Sequence, residues 1–373
     1  MQRVRIQVSA TAGIALAAAL SLAACSSSGS TSSSSSAKPS SSSSAAKLSG
    51  TLNGSGSTFQ LTFQQTAIQS FKSVQPSLTV NYSGVGSGTG RSNLAAGTVN
   101  FGGSDSTIPA SELSTFKGKT VLYFPVVIGP ITVSYNLSGL SKPLNLSAPV
   151  IADIFEVKVT TWNNSAIAAD NPGVTLPSTA ISICRRSDSS GTTQNFSEFL
   201  VKGAPSVWTL GSSSTINWPA ASRGGNGNGG VASCIKSTAG AVGYVDYADA
   251  KASSLTFASV KNSAGDYVAP SVSSATAAAD NATVASNLTF SAIWAPGASS
   301  YPITYQSWDL VYEAQSSSTT AANLKGYIGY LLGAGQKLLP ELNYAPLPAS
   351  LDQKATAQLS EIGSSATPAP SSS

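Results

Sequence analysis

The sequence predicts an α/β fold built as two lobes with mostly parallel sheets. Short β-rich runs alternate with helical stretches along the chain, the pattern typical of βαβ architecture. Once the low-complexity ends are set aside, about 315 of the 373 residues remain for the fold, which is more than one hydrophobic core usually holds. These two observations favour two α/β lobes over one.

Individual elements follow from the spacing of apolar residues. The strand candidates are residues 78–82, 120–124, 131–135 and 181–184. A helix over residues 58–72 has apolar side chains four apart on one face, at Phe59, Phe63, Ala67 and Phe71. A second helix is marked by Phe196, Phe199 and Leu200. Each helix therefore has an apolar face with which to cover a sheet.

Composition excludes several classes of function. The chain has no histidine, so a Ser-His-Asp or Cys-His nucleophile system and a histidine-ligated zinc site cannot be built. Its 20 basic and 16 acidic residues give a net charge of only +4, with no basic run that would indicate nucleic-acid binding. Charged residues are 10% of the chain, so the surface must be polar mainly through hydroxyls and amides.

Both ends of the chain read as segments outside the fold. Residues 1–25 carry Arg3 and Arg5, an apolar run too short to span a bilayer, and small residues before Cys25, which is the order of a secretory signal peptide. The cleavage site resembles the bacterial lipobox, in which Cys25 receives lipid and becomes the mature N-terminus. The alternative is an ordinary signal peptide with a chance cysteine. Serine-rich residues 26–49 predict a flexible tether, and residues 366–373 predict a disordered tail.

Cysteine usage agrees with export. If Cys25 carries lipid, Cys184 and Cys234 are the two cysteines left, and in an oxidising compartment a disulfide is their natural state. It would close a loop of about 50 residues, which the chain-entropy model values at about 4 kcal/mol. The alternative is two separate buried thiols.

Three turns rich in glycine and hydroxyl side chains share one physical property. They cover residues 54–59, 84–90 and 185–193, and each precedes a predicted helix. Free backbone N–H groups and hydroxyls at the positive end of a helix dipole form a ready anion site. The alternative for any single turn is structural, with Ser57 and Ser190 acting only as N-caps. Three such turns together with Arg185, Arg186, Asp105 and Asp188 are better explained by an anion ligand.

Other readings of the same residues fail on spacing. The alternate glycines of residues 84–90 do not match the dinucleotide pattern G-x-G-x-x-G, and no G-K-[ST] follows any turn. Residues 114–117 fit the S-x-x-K of serine β-lactamases, but no later K-[ST]-G is present. We interpret residues 114–117 as the exposed end of a helix.

Six motifs in order resemble those of the PstS family, the phosphate-binding lipoproteins of bacterial phosphate ABC importers. They are residues 54–59, 84–90, 100–105, 185–192, 224–230 and 240–247. The resemblance implies a class II periplasmic-binding-protein fold, with two α/β lobes, two hinge strands and the ligand in the interlobe cleft. It places lobe 1 at residues 50–127 and 304–365 and lobe 2 at residues 128–303, with the chain crossing near Val127 and returning near Thr304.

The resemblance also assigns the ligand shell, residue by residue. It implies that phosphate is bound by Thr58, Phe59, Ser87, Asp105, Arg186, Ser190, Gly191 and Thr192. Hydroxyls and backbone N–H groups would donate hydrogen bonds to the phosphate oxygens, and the Arg186 guanidinium would add charge-assisted hydrogen bonds to them. Asp188 would pair with this guanidinium. Arg185 is interpreted as a solvated neighbour.

Asp105 carries the argument for selectivity. A carboxylate beside a bound oxyanion is repulsive unless a proton lies between them, and hydrogen phosphate has that proton at neutral pH whereas sulfate does not. Arsenate is protonated like phosphate, so the site should discriminate against arsenate far less than against sulfate. The chain departs from the family at Asn100 and Gln60, where the family usually has Asp and Pro. Neither matches a ligand contact, so we expect these departures to affect local packing.

The function implied is that of a receptor without catalysis, cofactor or metal. It would capture inorganic phosphate outside the cytoplasmic membrane, held there by lipid on Cys25, and deliver it as a monomer to the permease subunits of an ABC importer. One alternative is a receptor for sulfate, molybdate or a phosphorylated organic compound. Another is a Ser/Lys hydrolase or a phosphatase, although no His/Asp/Glu grouping supplies a metal cluster.

Overall fold

A computed structural model describes residues 47–363 of the chain. The predicted signal peptide with Cys25, the tether up to residue 46 and the predicted tail lie outside the described residues. Within residues 47–363, the helices are all too short or too polar to cross a membrane.

Strands and helices alternate through most of the described part. The strands are β1 (Gly50–Gly56), β2 (Leu78–Gly84), β3 (Phe101–Ser104), β4 (Val121–Tyr135), β5 (Asn145–Leu146), β6 (Ser182–Arg186), β7 (Arg223–Gly225), β8 (Ala241–Asp246), β9 (Thr256–Phe257), β10 (Ser259–Lys261), β11 (Tyr267–Val268) and β12 (Thr304–Tyr312). The α-helices are α1 (Leu61–Val74), α2 (Ser87–Ala96), α3 (Ala148–Phe155), α4 (Ser165–Asp170), α5 (Gly191–Gly203), α6 (Gly227–Ser237), α7 (Tyr247–Ala252), α8 (Val272–Asp280), α9 (Ser318–Leu332) and α10 (Ala349–Gln358). Short 3-10 helices cover Ala110–Phe116, Ala334–Leu338, Pro340–Leu342 and Leu359–Glu361.

One long sheet runs through the molecule in the order β2-β1-β3-β12-β4-β8-β6-β7, with β9 also paired to β4. The pairings β1–β2, β1–β3, β6–β7 and β6–β8 are parallel. Strands β12 and β4 pair antiparallel with each other and with their neighbours β3 and β8. The prediction of parallel pairing therefore holds on both sides and fails in the middle, where the chain passes between the two halves of the sheet.

The middle of the sheet corrects the sequence reading of two separate strands at 120–124 and 131–135. Both belong to β4, whose residues after Val121 are all buried. In the sequence, Gly129 and Pro130 look like the end of a strand, because proline has no N–H to donate to a neighbouring strand. The strand continues through them because β12 runs beside it, with Thr304 opposite Pro130.

Helix α1 covers the sheet much as predicted. Phe63, Ala67 and Phe71 are buried on one face of the helix. Phe59 is buried as well, but it lies before the helix, which begins at Leu61. The spacing of four between apolar residues therefore continues from the helix back into the loop before it.

Two further boundaries are set by packing. Leu48 is buried, and its N–H donates to Gln75 Oε1 at 3.0 Å, so the packed part of the chain includes residue 48, inside the predicted tether. Residues 114–117 end the first 3-10 helix, and Lys117 there is exposed with a left-handed backbone.

Cys184 of β6 and Cys234 of α6 form a disulfide, with their Cα atoms 6.0 Å apart. The bridge lies in a small core with Val231, Ile235 and Val245. The predicted pairing is confirmed, and the alternative of two separate thiols is wrong.

Candidate functional site

The first predicted turn joins β1 to α1. The Phe59 ring is buried and stacks on Tyr305 of β12 with ring centroids 4.1 Å apart. Ser57 is not an N-cap, because Gln60 occupies that position without a side-chain cap bond. Instead, Ser57 Oγ accepts the Phe59 N–H at 3.0 Å. The N–H that the family pattern assigns to the anion is therefore engaged locally in this structure, while Thr58 projects its hydroxyl toward α6.

The second turn brings Ser87 to Asp105. Gly86 is the N-cap of α2, and its φ of 88° is a left-handed conformation that favours glycine. Ser87 is the first residue of the helix, and its Oγ donates to Asp105 Oδ2 at 3.3 Å and accepts the Asp105 N–H at 3.2 Å. The N-terminus of α2 and the end of β3 are thereby joined.

The second turn also meets the third turn. A Cβ on Gly86 would lie 2.5 Å from Asp188 Oδ2, so a larger side chain has no room there. Nearby, the Gly88 N–H donates to the Ser189 carbonyl at 3.1 Å. These contacts join the second turn to the third turn, and they cross the predicted boundary between the lobes.

The third turn leads from β6 into α5. Ser190 is the N-cap, and its hydroxyl oxygen accepts the Thr193 N–H at 3.1 Å. Gly191 and Thr192 follow as the first helical residues, whose N–H groups have no partner within a helix. The N-cap alternative is thus true of Ser190, and it is compatible with an anion site at the same helix end.

Arg186 is the fixed positive charge of the site. Its Nε donates to Asp188 Oδ1 at 2.8 Å, and its Nη2 bonds Asp188 Oδ2. Burial disfavours the guanidinium charge, but the bonds to Asp188 outweigh it and raise the pKa of Arg186. Burial likewise opposes the charge on Asp188, yet its bonds to Arg186 hold the pKa of Asp188 below the usual value. The pair is therefore ionised, and Arg186 Nη1 reaches Thr192 Oγ1 at 3.4 Å.

Arg185 points elsewhere. Its Nε donates to Ser222 Oγ at 3.2 Å and its Nη1 to the Arg186 carbonyl at 3.0 Å. These bonds do not reach the side chain of any predicted ligand residue. Arg185 was expected to be a neighbour of the site, and these bonds agree with that.

Asp105 is buried at the centre of these turns. Ser307 Oγ of β12 donates to Asp105 Oδ1 at 2.6 Å, and Asn195 Nδ2 donates to its backbone carbonyl at 2.7 Å. A Cβ on Gly191 would lie 2.6 Å from the Asp105 Cβ, which shows how closely α5 approaches. Burial raises the pKa of Asp105, while the hydroxyl bonds and Arg186 partly oppose the rise.

Asn228 is a functional candidate that sequence reasoning missed. Its Nδ2 donates to Thr58 Oγ1 at 3.2 Å and to Thr192 Oγ1 at 3.3 Å, and its N–H donates to Thr58 Oγ1 at 3.3 Å. Asn228 therefore links the first and third turns across the cleft. It lies in the glycine-rich motif 224–230, so that motif was the available signal.

Some buried polar atoms at this cleft have no hydrogen-bond partner within residues 47–363. They include Asn228 Oδ1, the Tyr305 hydroxyl and Gln306 Oε1. Buried polar groups are normally paired, so each can take part in binding a ligand. Tyr305 and Ser307 belong to the returning strand β12, where no motif in the sequence singled them out.

Four helix N-termini converge on the cleft, at the starts of α1, α2, α5 and α6. All the predicted ligand residues lie at these helix ends or at the ends of β3 and β6. Their dipoles, the hydroxyls and one arginine favour a small oxyanion. Among residues 47–363, no group of three or more Asp, Glu or Cys side chains could hold a metal ion.

A cavity of about 630 Å³ adjoins the site and shares only Asp105 with the predicted ligand shell. Its walls are mostly hydroxyl and amide side chains, with the ion pair of Arg91 and Glu112 on one side. Asp105 therefore separates the convergent helix ends from a wider polar space.

Comparisons with known proteins agree with this geometry. A family profile described as the PBP superfamily domain matches residues 41–334. The phosphate-binding protein PstS of Xylella fastidiosa strain 9a5c is 36% identical over 277 residues, covering 73% of this chain and 75% of the relative. The chain belongs to the PstS family of the PBP superfamily. The PstS protein of Pasteurella multocida strain Pm70 is 35% identical over 313 residues, covering 83% of this chain and 89% of the relative.

Solved structures support the fold of this PstS-family chain. The high-affinity periplasmic phosphate-binding protein PfluDING, determined with bound phosphate at subatomic resolution, aligns with a TM-score of 0.68 and 22% identity. The alignment covers 83% of this chain and 93% of that protein. The prediction of a two-lobe periplasmic-binding-protein fold is confirmed. Since the family members are binding proteins, the prediction of a binding role rather than an enzymatic one is also confirmed.

Proposed function

We propose that this PstS-family chain is the phosphate receptor of an ABC importer. The observation that carries the proposal is the convergence of four helix N-termini and the buried, ion-paired Arg186 on one cleft that also contains buried Asp105. Positive helix ends and a guanidinium stabilise an oxyanion, whereas a carboxylate at the same place requires the anion to bring a proton. Hydrogen phosphate meets both conditions.

The proposed ligand shell is the one that the family pattern assigned. Arg186 would bind phosphate oxygens through Nη1 of its guanidinium, because Nε and Nη2 are already bonded to Asp188. The hydroxyls and N–H groups of Thr58, Phe59, Ser87, Ser190, Gly191 and Thr192 would complete the shell. Phe59 would do so by releasing its N–H from Ser57, and Asn228 would be added as a contributor from α6.

Asp105 would select among oxyanions by accepting the phosphate proton. Its side chain already accepts hydrogen bonds from Ser307 and Ser87, which favour the carboxylate over the acid. Sulfate has no proton to offer at neutral pH, so it would leave the buried carboxylate facing unprotonated oxygens.

Binding would be coupled to closure of two lobes, residues 50–127 with 304–365 and residues 128–303. The hydrogen bonds of Asn228 to Thr58, Gly88 to Ser189 and Asn195 to Asp105 all cross this boundary. A dianion enclosed by these contacts favours the closed state, which the permease subunits would recognise.

The receptor would act outside the cytoplasmic membrane as a monomer, anchored by lipid on Cys25. Support comes from the signal-like residues 1–25, the serine-rich stretch that follows, and the disulfide, which suits an oxidising compartment. A tether from residue 26 to the buried Leu48 would let the folded part reach about 25 Å from the bilayer.

Two experiments test the proposal. Native mass spectrometry of the purified, untreated protein should show the mass increment of one phosphate, and its absence together with no calorimetric signal on adding phosphate would refute the ligand. For the anchor, cells fed labelled palmitate should label the wild-type chain but not Cys25→Ser. Equal labelling of both would refute lipidation at Cys25.

A further inference from the structure

A line of buried polar side chains lies between α1 and β12, directly behind Asp105. On β12, Ser307 and Asp309 are two residues apart and face α1. On the helix side, Gln60 and Gln64 are four residues apart and meet them. All four side chains are shielded from solvent.

The hydrogen bonds of this line run in one direction. Gln64 Nε2 lies 3.0 Å from Asp309 Oδ2 and 2.8 Å from Gln60 Oε1, and it donates to both. The Tyr327 hydroxyl donates to Gln64 Oε1 at 2.5 Å, which fixes the other end of that amide. Gln60 Oε1 is therefore occupied as an acceptor, and its nitrogen faces β12.

The direction at Gln60 is set by a backbone carbonyl. Gln60 Nε2 lies 3.4 Å from the Trp308 carbonyl oxygen, which can only accept, so this end of the amide must be the donor. The same nitrogen lies 3.1 Å from Ser307 Oγ. Since Gln60 supplies a hydrogen to the Ser307 oxygen, the single hydrogen of that hydroxyl is left for Asp105 Oδ1 at 2.6 Å.

A β-bulge accompanies this arrangement. The pairing of β12 with β4 shifts register between Ser307 and Trp308, which stand opposite Val127 and Pro125, so Val126 is left over. Bulges commonly redirect side chains beside functional sites. Gln306 and Ser307 both reach Asp105 here, the first at its carbonyl and the second at its carboxylate.

Stability alone does not account for the polar line. Replacing a buried polar network by well-packed apolar side chains is often neutral or stabilising, because it avoids the cost of desolvation. The backbone at Gln60, with φ of −83° and ψ of 1°, is one that ordinary apolar residues also adopt. What an apolar residue cannot do is fix the direction of the Ser307 hydroxyl.

We propose that Gln60 is a positioning residue that makes the Ser307 hydroxyl a permanent donor to Asp105, so that Asp105 is held as an acceptor for the ligand proton. The part concerning the ligand rests on the proposed function; the part concerning Asp105 does not. All the residues involved fall within the predicted lobe 1 and the returning strand, so the arrangement does not depend on closure of the cleft.

The test uses full-length variants matched in chemistry. Gln60→Glu keeps the shape but replaces the amide nitrogen with oxygen, which carries at most one hydrogen and cannot donate to both Ser307 Oγ and the Trp308 carbonyl. Its control is Gln358→Glu, a buried glutamine whose Nε2 donates to the Tyr123 carbonyl at 2.9 Å, away from Asp105. A second pair, Ser307→Ala and Ser307→Thr, removes or keeps the hydroxyl with little change in volume.

The first readout needs no ligand. The carboxyl carbon of Asp105 is titrated by NMR in protein labelled at aspartate, with the signal assigned from Asp105→Asn. Loss of one hydrogen bond to the charged form should raise the titration midpoint by roughly one to two pH units in Gln60→Glu and Ser307→Ala. Gln358→Glu and Ser307→Thr should match the wild type. Midpoints unchanged in both Gln60→Glu and Ser307→Ala would overturn the proposal.

The second readout is calorimetric titration with inorganic phosphate. We expect Kd to weaken about tenfold or more in Gln60→Glu and Ser307→Ala and to stay at the wild-type value in Gln358→Glu. If the wild type bound no phosphate while the Asp105 midpoint still moved, the proposed function would fail and the positioning role would stand. Weakening of the same size in Gln358→Glu would assign the effect to buried acid in general and overturn the role of Gln60.

Discussion

Removing the Asn228 side chain tests how the cleft is held closed. In Asn228→Ala the Nδ2 bonds to Thr58 Oγ1 at 3.2 Å and Thr192 Oγ1 at 3.3 Å are lost. The backbone N–H bond to Thr58 remains available, because alanine keeps it. The closed state therefore loses one hydrogen bond across the cleft, to Thr58, and one within the predicted lobe 2, to Thr192.

The expected size follows from the one side-chain bond that crosses the cleft, from Asn228 to Thr58. A neutral hydrogen bond contributes about 0.5–1.5 kcal/mol net, so the closed state should lose about that much relative to the open state. Because binding is coupled to closure, phosphate Kd should weaken about two- to twelvefold. The loss should appear mainly as faster dissociation, since the closed-state bonds form after encounter.

The assay is calorimetry for Kd and stopped-flow competition for the dissociation rate. The matched control is Asn323→Ala, which deletes another buried amide, bonded at 2.8 Å to the carbonyl of Ser49, the residue before β1. It should lower the unfolding midpoint without changing Kd. An Asn228→Ala protein with wild-type Kd, or a control weakened to the same extent, would refute the role of Asn228 in closure.

Three further predictions concern charge and cross-links. Arg186→Ala should weaken binding of phosphate and arsenate alike by at least tenfold, because a charge-assisted bond worth about 1.5–3 kcal/mol is lost; calorimetry that found only one anion affected would contradict this. Burial raises the pKa of Asp309 from 3.8 to about 7, so the folded chain binds more protons than the unfolded chain between those values, and stability falls as pH rises through that window. In denaturant titrations across this pH range, Asp309→Asn should lose about 4 kcal/mol less of its free energy of unfolding than the wild type. An equal loss in both proteins would show that Asp309 is not buried as described. Replacing Cys184 and Cys234 together by serine should lower the free energy of unfolding by about 4 kcal/mol, and a loss below about 1 kcal/mol would mean that the bridge constrains little.

The sequence predicted which turns form the candidate site because that site is made of helix N-termini. Turns at 54–59, 84–90 and 185–193 have local signatures, and the structure brings all three to one cleft. The direction of each functional side chain there follows from the backbone of its own turn. The disulfide was predictable for a different reason, because only two cysteines were left once Cys25 was set aside.

What the sequence did not predict depends on pairing between distant segments. Strand β4 was predicted as two strands, on either side of the segment with Pro125, Gly129 and Pro130, and only its pairing with β12 shows that it continues. Ser307 and Tyr305 lie on a strand with no turn motif, and they reach the site only because β12 returns beside Asp105. Gln60 was expected to affect packing, but its amide bonds directly to Ser307.

The most direct test of the central claim compares phosphate and sulfate in the wild type and in Asp105→Asn. Both anions are titrated by calorimetry at neutral pH, where phosphate carries a proton and sulfate does not. The account predicts that the wild type binds phosphate far more tightly than sulfate and that Asp105→Asn narrows this ratio by at least tenfold while leaving the fold intact. Sulfate binding as tight as phosphate in the wild type, or an unchanged ratio in Asp105→Asn, would contradict it.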